Sequence, residues 1–177
     1  MRTTLYAILV LLLAAGCSAN LIPNGSFEDG LAGWSCETCK EQWKTGSYWP
    51  VPDGQSCAYV DPYSGSEWIE WMRCSSALPE GTYRLSLEAR TYNDWGTGIT
   101  LWARLGESGA SWSFSTEEWT EFTCELSGAG YLEIGASGPA DNFVLVDVVQ
   151  LATVPEPGAW AALLVGCAFL GRRLRTA

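Results

Sequence analysis

The sequence predicts an all-β protein, an antiparallel β-sandwich, flanked by an N-terminal signal helix and a C-terminal hydrophobic helix. Three observations predict the sandwich. Apolar and polar residues alternate through several segments of strand length, which is the period of a strand with one buried face. Gly, Asn, Asp and Pro turn signals separate these segments at short intervals. Between the two terminal segments, no stretch has the 3.6-residue period of an amphipathic helix.

Residues 1–19 are expected to be a secretory signal peptide. Arg2 provides a weakly positive start, Leu5–Leu13 is an unbroken apolar run, and Cys17–Ala19 offers small residues for cleavage before Asn20. The apolar run is too short for a comfortable membrane span. A second cut is an alternative, because Ala14–Cys17 resembles a lipobox, in which Cys17 would be lipidated and become the new N-terminus.

The body of the chain, residues 20–152, is expected to form a single β domain. Gly81–Thr91 alternates apolar and polar residues, and Ile99–Leu105 repeats the pattern with Trp102 and Arg104 on its exposed face. Pro79-Glu80-Gly81 and several later glycines predict turns. Further strands are predicted over residues 119–126, 131–136 and 143–151.

Composition excludes several classes of function. The chain carries a net charge of −10 in 177 residues, which argues against nucleic-acid partners because phosphates are bound by Lys and Arg. The chain contains no histidine, so Ser-His-Asp triads, Cys-His dyads and His-ligated metal sites are impossible. Paired carboxylates for glycoside hydrolysis remain possible, although no particular pair stands out.

Five cysteines lie in the body of the chain: Cys36, Cys39, Cys57, Cys74 and Cys124. In an exported protein they favour structural disulfides, of which five thiols allow at most two. The sequence does not determine the pairing. The Cys36-Glu37-Thr38-Cys39 spacing leaves zinc binding and redox activity open as alternatives.

The body also resembles the galactose-binding-like jelly rolls, the group that contains many carbohydrate-binding modules. The resemblance rests on four stretches in order, NLIPNGSFEDGLAGW, LPEGTYRLSLEAR, EEWTEFTCEL and VLVDVVQL, which begin at Asn20, Leu78, Glu117 and Val144. The first stretch matches the opening strand and loop of that family. The resemblance implies a jelly-roll sandwich and leaves the ligand open, because one fold hosts many functions.

The same resemblance implies one structural calcium ion shared by the first and last strands. The matching side chains are Glu28 and Asp147, and carboxylates from two neighbouring strands with backbone carbonyls suit a hard cation. The family pattern has two adjacent acids in the last strand, whereas Val148 follows Asp147 here.

Tryptophan is abundant, with ten in the chain, and aromatic rings are the usual stacking surfaces for sugars. Trp34 and Trp119 lie in the fold motifs and are expected in the core. The aromatic residues in predicted loops are the candidate glycan-binding residues, together with the Asn and Asp between them. They are Tyr48 and Trp49 in one loop, and Tyr92, Asn93, Asp94 and Trp95 in another.

The C-terminal segment, residues 153–177, has three parts. Val154, Pro155, Glu156 and Pro157 form an extended motif, residues 158–171 form an uncharged apolar run, and a basic end follows with Arg172, Arg173 and Arg175. This tail resembles the PEP-CTERM sorting signal. The resemblance implies processing by an exosortase, transient anchoring through the C-terminal helix in the inner membrane, and delivery to the surface or matrix of a Gram-negative bacterium. A plain membrane anchor is the alternative.

The sequence therefore predicts an exported, non-catalytic protein of the cell surface or extracellular matrix that binds polysaccharide through its jelly-roll domain. One alternative is a purely structural or adhesive matrix protein without a specific ligand. Another is an enzyme that acts on carbohydrate.

Overall fold

The computed structural model describes residues 19–35, 43–46, 50–60, 68–91, 99–138 and 144–155, and these residues form eight β-strands in antiparallel pairs. Asn20–Thr153 form one compact unit, and the terminal segments Met1–Ala19 and Val154–Ala177 are separate from it. The strands are β1 Trp34–Ser35, β2 Trp43–Gly46, β3 Cys57–Val60, β4 Trp68–Thr91, β5 Ile99–Leu105, β6 Ser108–Phe114, β7 Thr120–Gly138 and β8 Val144–Thr153.

The described part of the chain contains strands and turns and no helix, in agreement with the prediction of an all-β fold. None of these residues forms a helix long and apolar enough to cross a membrane. Residues 1–18 of the predicted signal peptide (1–19) and the predicted C-terminal helix (158–171) lie outside the described residues.

The two long strands, β4 and β7, each belong to two parts of the sheet. The strand order is β2-β3-β8-β4-β7-β5-β6, with β1 also paired to β4. Residues 83–91 of β4 pair with β8, whereas residues 73–74 pair with β1. Residues 132–137 of β7 pair with β5. Both parts contribute apolar side chains to one buried cluster, which includes Leu85 and Leu87 from one part and Leu101 and Ile134 from the other.

Glycines bend the long strands rather than ending them. The pairing of β4 with β7 changes register between Leu78 and Gly81, opposite Gly128 and Gly130, whose φ angles are 138° and 113°. These backbone conformations are rare for residues with a side chain. The predicted turn at residues 79–81 and the predicted break between residues 126 and 131 are therefore wrong, because β4 and β7 run through both positions.

Strand alternation follows the prediction in the central strands. Tyr83, Leu85, Leu87 and Ala89 are buried on one face of β4, while Arg84 on the other face is exposed. The strand β5 has the predicted bounds, with its odd-numbered residues buried. In β8 a bulge opposite Leu87 interrupts the alternation, and Val148 there has a φ of 51°.

The predicted opening strand is wrong, because residues 22–33 form a series of turns that ends at β1. The Asn24 side chain explains this geometry. Its amide donates to the carbonyls of Gly30 and Ala32 at 2.9 and 3.0 Å, and its oxygen accepts from the Asp29 N–H at 3.1 Å. These local bonds compete with strand pairing, and the resulting turns bury Phe27 in the core.

The described cysteines form no disulfide with one another. Cys57, Cys74 and Cys124 lie on β3, β4 and β7, and burial raises the pKa of each thiol, to about 12 for Cys57. The three lie in separate parts of the sheet, since Cys74 pairs with Trp34 and Cys124 with Leu85. Structural disulfides are thus unsupported among these three, and their raised pKa values oppose thiolate chemistry. Cys36 and Cys39 lie outside the described residues.

Candidate functional site

The outer face of β4, β7 and β5 brings together two tryptophans and a row of charged side chains. Trp71 on β4 and Trp102 on β5 are both register partners of Gly135 on β7, which lies between them. All three positions therefore share one cross-strand row and one face of the sheet. Because Gly135 has no side chain, none rises from β7 between the two tryptophans. Both rings are partly exposed.

The next row on the same face is an ionic network. Arg73 and Arg104 are the two register partners of Glu133. The Nε and Nη2 atoms of Arg73 donate to Glu133 Oε1 at 3.1 and 2.9 Å. The same two atoms of Arg104 donate to Glu133 Oε2 at 2.8 and 2.5 Å. Each carboxylate oxygen thus receives two charge-assisted hydrogen bonds, which are stronger than bonds between neutral groups.

The two rows are joined by cation–π contacts. The guanidinium carbon of Arg73 lies 4.9 Å from the ring centroid of Trp71 and 5.3 Å from that of Tyr131, and the Arg104 carbon lies 5.7 Å from that of Trp102. Contacts within about 6 Å attract a cation to the ring face. Held in this way, the side chains have little freedom left to lose on binding a ligand. We call Trp71, Trp102 and Tyr131, with Arg73, Arg104 and Glu133, the aromatic–arginine face.

Exposure differs sharply between the charges of this face. The side chain of Glu133 is 10% exposed, against 28% for Arg73 and 53% for Arg104. Burial alone would raise the pKa of Glu133, but the hydrogen bonds and charges of Arg104 and Arg73 outweigh it, so the pKa lies below its ordinary value. Glu133 is therefore ionised at neutral pH and lies beneath the two guanidinium groups.

These six side chains supply what sugar recognition needs. Partly exposed aromatic residues can contact the C–H bonds of a sugar, and adjacent arginines can donate to its oxygen atoms. Tyr131 is the most accessible of the three aromatic residues, at 44% exposure. A catalytic role for Glu133 is opposed by its lowered pKa, since a general acid needs a raised one.

The predicted glycan-binding residues Tyr48, Trp49, Tyr92, Asn93, Asp94 and Trp95 all lie outside the described residues. Their role stays a prediction. Trp34 is in the core as predicted, with 8% exposure. The prediction that Trp119 is a core residue is wrong. It is only half-buried, and its Nε1 donates to the Pro50 carbonyl at 2.9 Å.

The aromatic–arginine face was not predicted from the sequence, although the sequence contains a pattern that indicates it. Trp-x-Arg occurs twice, as Trp71-Met72-Arg73 and Trp102-Ala103-Arg104, and Tyr131-Leu132-Glu133 has the same aromatic-x-charged form. In each motif the middle residue is fully buried or nearly so. Each flanking pair must therefore lie on the outer face of its strand.

The second group of interest is the pair Glu28 and Asp147, which contact the same loop. Oε1 of Glu28 accepts the N–H groups of Gln55 and Ser56 at 2.8 and 2.7 Å. Oδ2 of Asp147 accepts the N–H of Asp53 at 3.3 Å. The close approach depends on Gly54, where a Cβ atom would lie 2.3 Å from the Glu28 carboxyl carbon.

Asp147 is a fully buried carboxylate among negative charges. Its residue exposure is 0%, and its Oδ1 accepts the Val148 N–H at 2.7 Å. Burial is the main reason that its pKa is raised, to about 7. The charges of Asp53 and Glu28 raise it further, while the two N–H bonds act in the opposite direction. Within the described residues, no three His, Cys, Asp or Glu side chains group closely enough to hold a metal ion by themselves.

Comparison with protein-family models gives no match, and comparison with curated protein sequences gives no significant one. Solved structures do match. TmCBM61 in complex with β-1,4-galactotriose has 20% identity and a TM-score of 0.55, with 77% of this chain and 100% of that one covered. The CBM22-1 xylan-binding domain from Paenibacillus barcinonensis has 14% identity and a TM-score of 0.57, covering 80% and 99%.

An arabinose-bound α-L-arabinofuranosidase, MgGH51, has 16% identity and a TM-score of 0.62. There 77% of this chain covers only 27% of the enzyme's length. At such low identity these likenesses show the fold alone. The fold of residues 20–153 is that of jelly-roll carbohydrate-binding modules.

Proposed function

We propose that residues 20–153 form a non-catalytic glycan-binding module and that the polysaccharide lies across the aromatic–arginine face. The observation that carries the proposal is the row of Trp71, Gly135 and Trp102, with the arginine row beside it. Neighbouring strands lie about 4.8 Å apart, so the backbones of β4 and β5 are separated by about 10 Å at this row. That separation suits adjacent contacts along one sugar chain.

Two further facts support the proposal. Two of the similar structures are named for a bound galactotriose and for xylan binding. In addition, the rings of this face stay partly exposed although the cation–π contacts hold them in place. Full burial of these aromatic side chains would stabilise the fold further, so their partial exposure fits a role in binding.

Affinity electrophoresis of the full chain tests the proposal, with β-1,4-galactan, xylan and acidic polysaccharides in the gel. At least one polymer should retard the wild-type chain. Trp71→Ala and Trp102→Ala should each weaken that retardation about 30-fold, which corresponds to about 2 kcal/mol for a tryptophan at the centre of an interface. Trp119→Ala is the control, since it removes a half-buried tryptophan whose Nε1 donates to the Pro50 carbonyl. Equal effects of all three variants would contradict the proposal.

We propose further that the chain is exported and that its tail is a sorting signal cut by an exosortase. The support is the order of motif, apolar run and basic end, together with the position of the motif directly after β8. Pro155 is exposed, which suits access by a processing enzyme. Intact-mass analysis of the exported protein should show that Arg172–Ala177 is missing. A mass that includes Ala177 would contradict this.

We also propose that one calcium ion is held by Glu28 and Asp147, with backbone carbonyls completing the coordination. The support is the burial of Asp147 among negative charges, which leaves its carboxylate in need of a cation. The ion would supply charge compensation and a tie between the N-terminal turns, the 53–56 loop and β8. It would have a structural role.

A further inference from the structure

We propose that two copies of this chain pair through strand β6, antiparallel and centred on Ser111, so that their sheets join into one. Strand β6 ends the order β2-β3-β8-β4-β7-β5-β6, and within the described residues no strand pairs with its outer side. Gly109, Ser111 and Ser113 of this strand are exposed. The proposal goes beyond glycan binding and does not depend on it.

Strand β6 lacks the features that usually keep the edge of a sheet from pairing with another chain. Natural edge strands are short, carry lysine or proline, or are interrupted by a bulge. The seven residues Ser108–Phe114 contain no charged residue and no proline, and they pair with β5 without a register shift. The strand at the opposite end of the order, β2, has four residues and carries Lys44. Of these two strands, β6 is therefore the one open to pairing.

The turn before β6 determines which of its backbone groups point outward. Two residues, Gly106 and Glu107, separate β5 from β6, and Gly106 has a φ of 58°. Such a turn is closed by a hydrogen-bonded pair, and in an antiparallel ladder these pairs alternate along the strands. The N–H and C=O groups of the even-numbered residues of β6 therefore point toward β5. The groups that point away from β5 are those of Gly109, Ser111 and Ser113.

These outward groups match those of a second copy in one two-fold register. When Ser111 lies opposite Ser111 of the second copy, Gly109 of each copy lies opposite Ser113 of the other. All three residues then form hydrogen-bonded pairs, and two bonds from each pair give about six backbone hydrogen bonds. A shift in either direction leaves at least one outward-pointing residue of each copy without a partner in β6.

The side chains of β6 are complementary in the same register. On the inner face, Trp112 of each copy lies beside Ala110 of the other, so a large ring meets a small methyl group. Trp112 is half-buried in the single chain, where its ring lies 5.5 Å from that of Phe122. Pairing would cover more of Trp112, which favours association. On the outer face, Gly109 leaves space beside Ser113.

The joined sheets would also extend the row of tryptophans. Ser111 is the register partner of Trp102, which shares its row with Gly135 and Trp71. Because Ser111 lies on the two-fold axis, this row continues into the second copy. The two Trp102 positions are then three strand spacings apart, about 14 Å. One consequence rests on the proposed function: a single polysaccharide would contact both copies along this row.

Sedimentation equilibrium of the full chain in a mild detergent tests the dimer. The average mass should rise with concentration toward that of two chains, and added salt should strengthen association because two acidic chains repel each other. Ser111→Pro removes an outward N–H group and should raise the dissociation constant at least tenfold. Ser111→Ala keeps the backbone bonds and should leave that constant unchanged. A wild-type chain that stays monomeric at every concentration would overturn the proposal.

A cysteine cross-link tests the register, and it does so even if Ser111→Pro fails to fold. The Cα atoms of a hydrogen-bonded pair are about 5.5 Å apart, a distance that a disulfide can span. Ser111→Cys should therefore form a disulfide-linked dimer on mild oxidation. Ser113→Cys is the matched control, because its two copies are offset by about 14 Å along the strands. Equal cross-linking of both variants, or of Ser111→Cys and the wild-type chain, would overturn the proposal.

Hydrogen exchange identifies a different occupant of the edge. If the wild-type chain is a monomer and the Ser111 amide hydrogen exchanges slowly, the chain itself covers β6 and the proposal is wrong.

The consequence for glycan binding has a separate measurement. A long polysaccharide should retard Ser111→Pro less than Ser111→Ala, whereas a short oligosaccharide should bind both variants equally. Mass and cross-linking are measured without glycan, so failure of the dimer is distinguishable from failure of the proposed function, in which no polymer retards the wild-type chain.

Discussion

Calcium removal should destabilise the domain, because without the ion the carboxylate of Asp147 is buried close to other carboxylates. The perturbation is chelation of the wild-type protein at pH 8, compared with the same protein in excess calcium. The pKa of Asp147 is raised from 3.8 to about 7 in the metal-free fold. Ionisation of Asp147 at pH 8 therefore lowers the free energy of unfolding. The loss is of order 4 kcal/mol at most, because each pKa unit corresponds to about 1.36 kcal/mol.

The sign of the pH dependence follows from the same shift. A carboxyl whose pKa is raised on folding favours the folded state below its unfolded pKa, and this advantage is lost as the pH rises through the folded value. Metal-free protein should thus lose stability between about pH 4 and pH 7 through Asp147. Calcium binding should oppose that loss, because the ion takes the place of the proton.

The expected size of the calcium effect can be stated for a simple assay. Calcium at 100 times its dissociation constant adds about 2.7 kcal/mol if it binds only the folded state. For a domain of this size, 1 kcal/mol shifts the melting temperature by about 3–5 °C. Thermal melts in calcium and in chelator should then differ by about 8–13 °C.

Asp147→Asn distinguishes this explanation from a general effect of calcium on an acidic protein. The variant removes the buried charge, so it should melt at nearly the same temperature in calcium and in chelator. Glu118→Gln makes the same change of charge at an exposed position and should keep the full calcium shift. The reasoning is refuted if wild type shows no calcium shift, or if Asp147→Asn shows an equal one.

Three other changes test the fold around the proposed sites. Glu133→Gln should lower the free energy of unfolding by about 1–3 kcal/mol at pH 7, as measured by urea unfolding. That difference from wild type should shrink as the pH falls toward 2, because a carboxylate with a lowered pKa loses its contribution on protonation; a constant difference would refute it. Gly135→Val should weaken glycan retardation at least tenfold with a melting temperature within a few degrees of wild type, since it places a side chain between Trp71 and Trp102. Gly25→Ala should lower the melting temperature by several degrees in calorimetry, because the new Cβ would lie 2.0 Å from the Val149 carbonyl oxygen; an unchanged value would contradict that packing.

Local pattern was sufficient to predict the central strands. In β5 every second side chain is buried, so polarity alone gave both its bounds and its inner face. Glycine misled the prediction at Gly128 and Gly130. A positive φ there serves a bend within β7, and single-residue propensity cannot distinguish a bend from a turn. The turns of residues 22–33 depend on one side chain, Asn24, which resembles any other polar residue in sequence.

The aromatic–arginine face could not be predicted in the same way, because it depends on pairing between distant segments. Arg73 and Glu133 are 60 positions apart, and Arg104 and Glu133 are 29 apart. The motifs Trp71-Met72-Arg73 and Trp102-Ala103-Arg104 fix which side chains face outward, but not which strands are neighbours. Only the order β4-β7-β5 places one glutamate between two arginines.

Register then becomes the physical basis of the proposed site. A shift of β7 by one residue would turn Glu133 into the core and Ile134 outward. Such a shift is strongly disfavoured, because Glu133 would lose its ion pairs with Arg73 and Arg104 and Ile134 would lose its place in the core. The same pairings that hold the sheet in register therefore align the two tryptophans across Gly135. The ion pairs consequently serve the fold and the face at once. For that reason Arg104→Lys, which keeps the charge but cannot donate two bonds to Glu133 from one planar group, should lower both the stability in urea unfolding and the retardation by glycan.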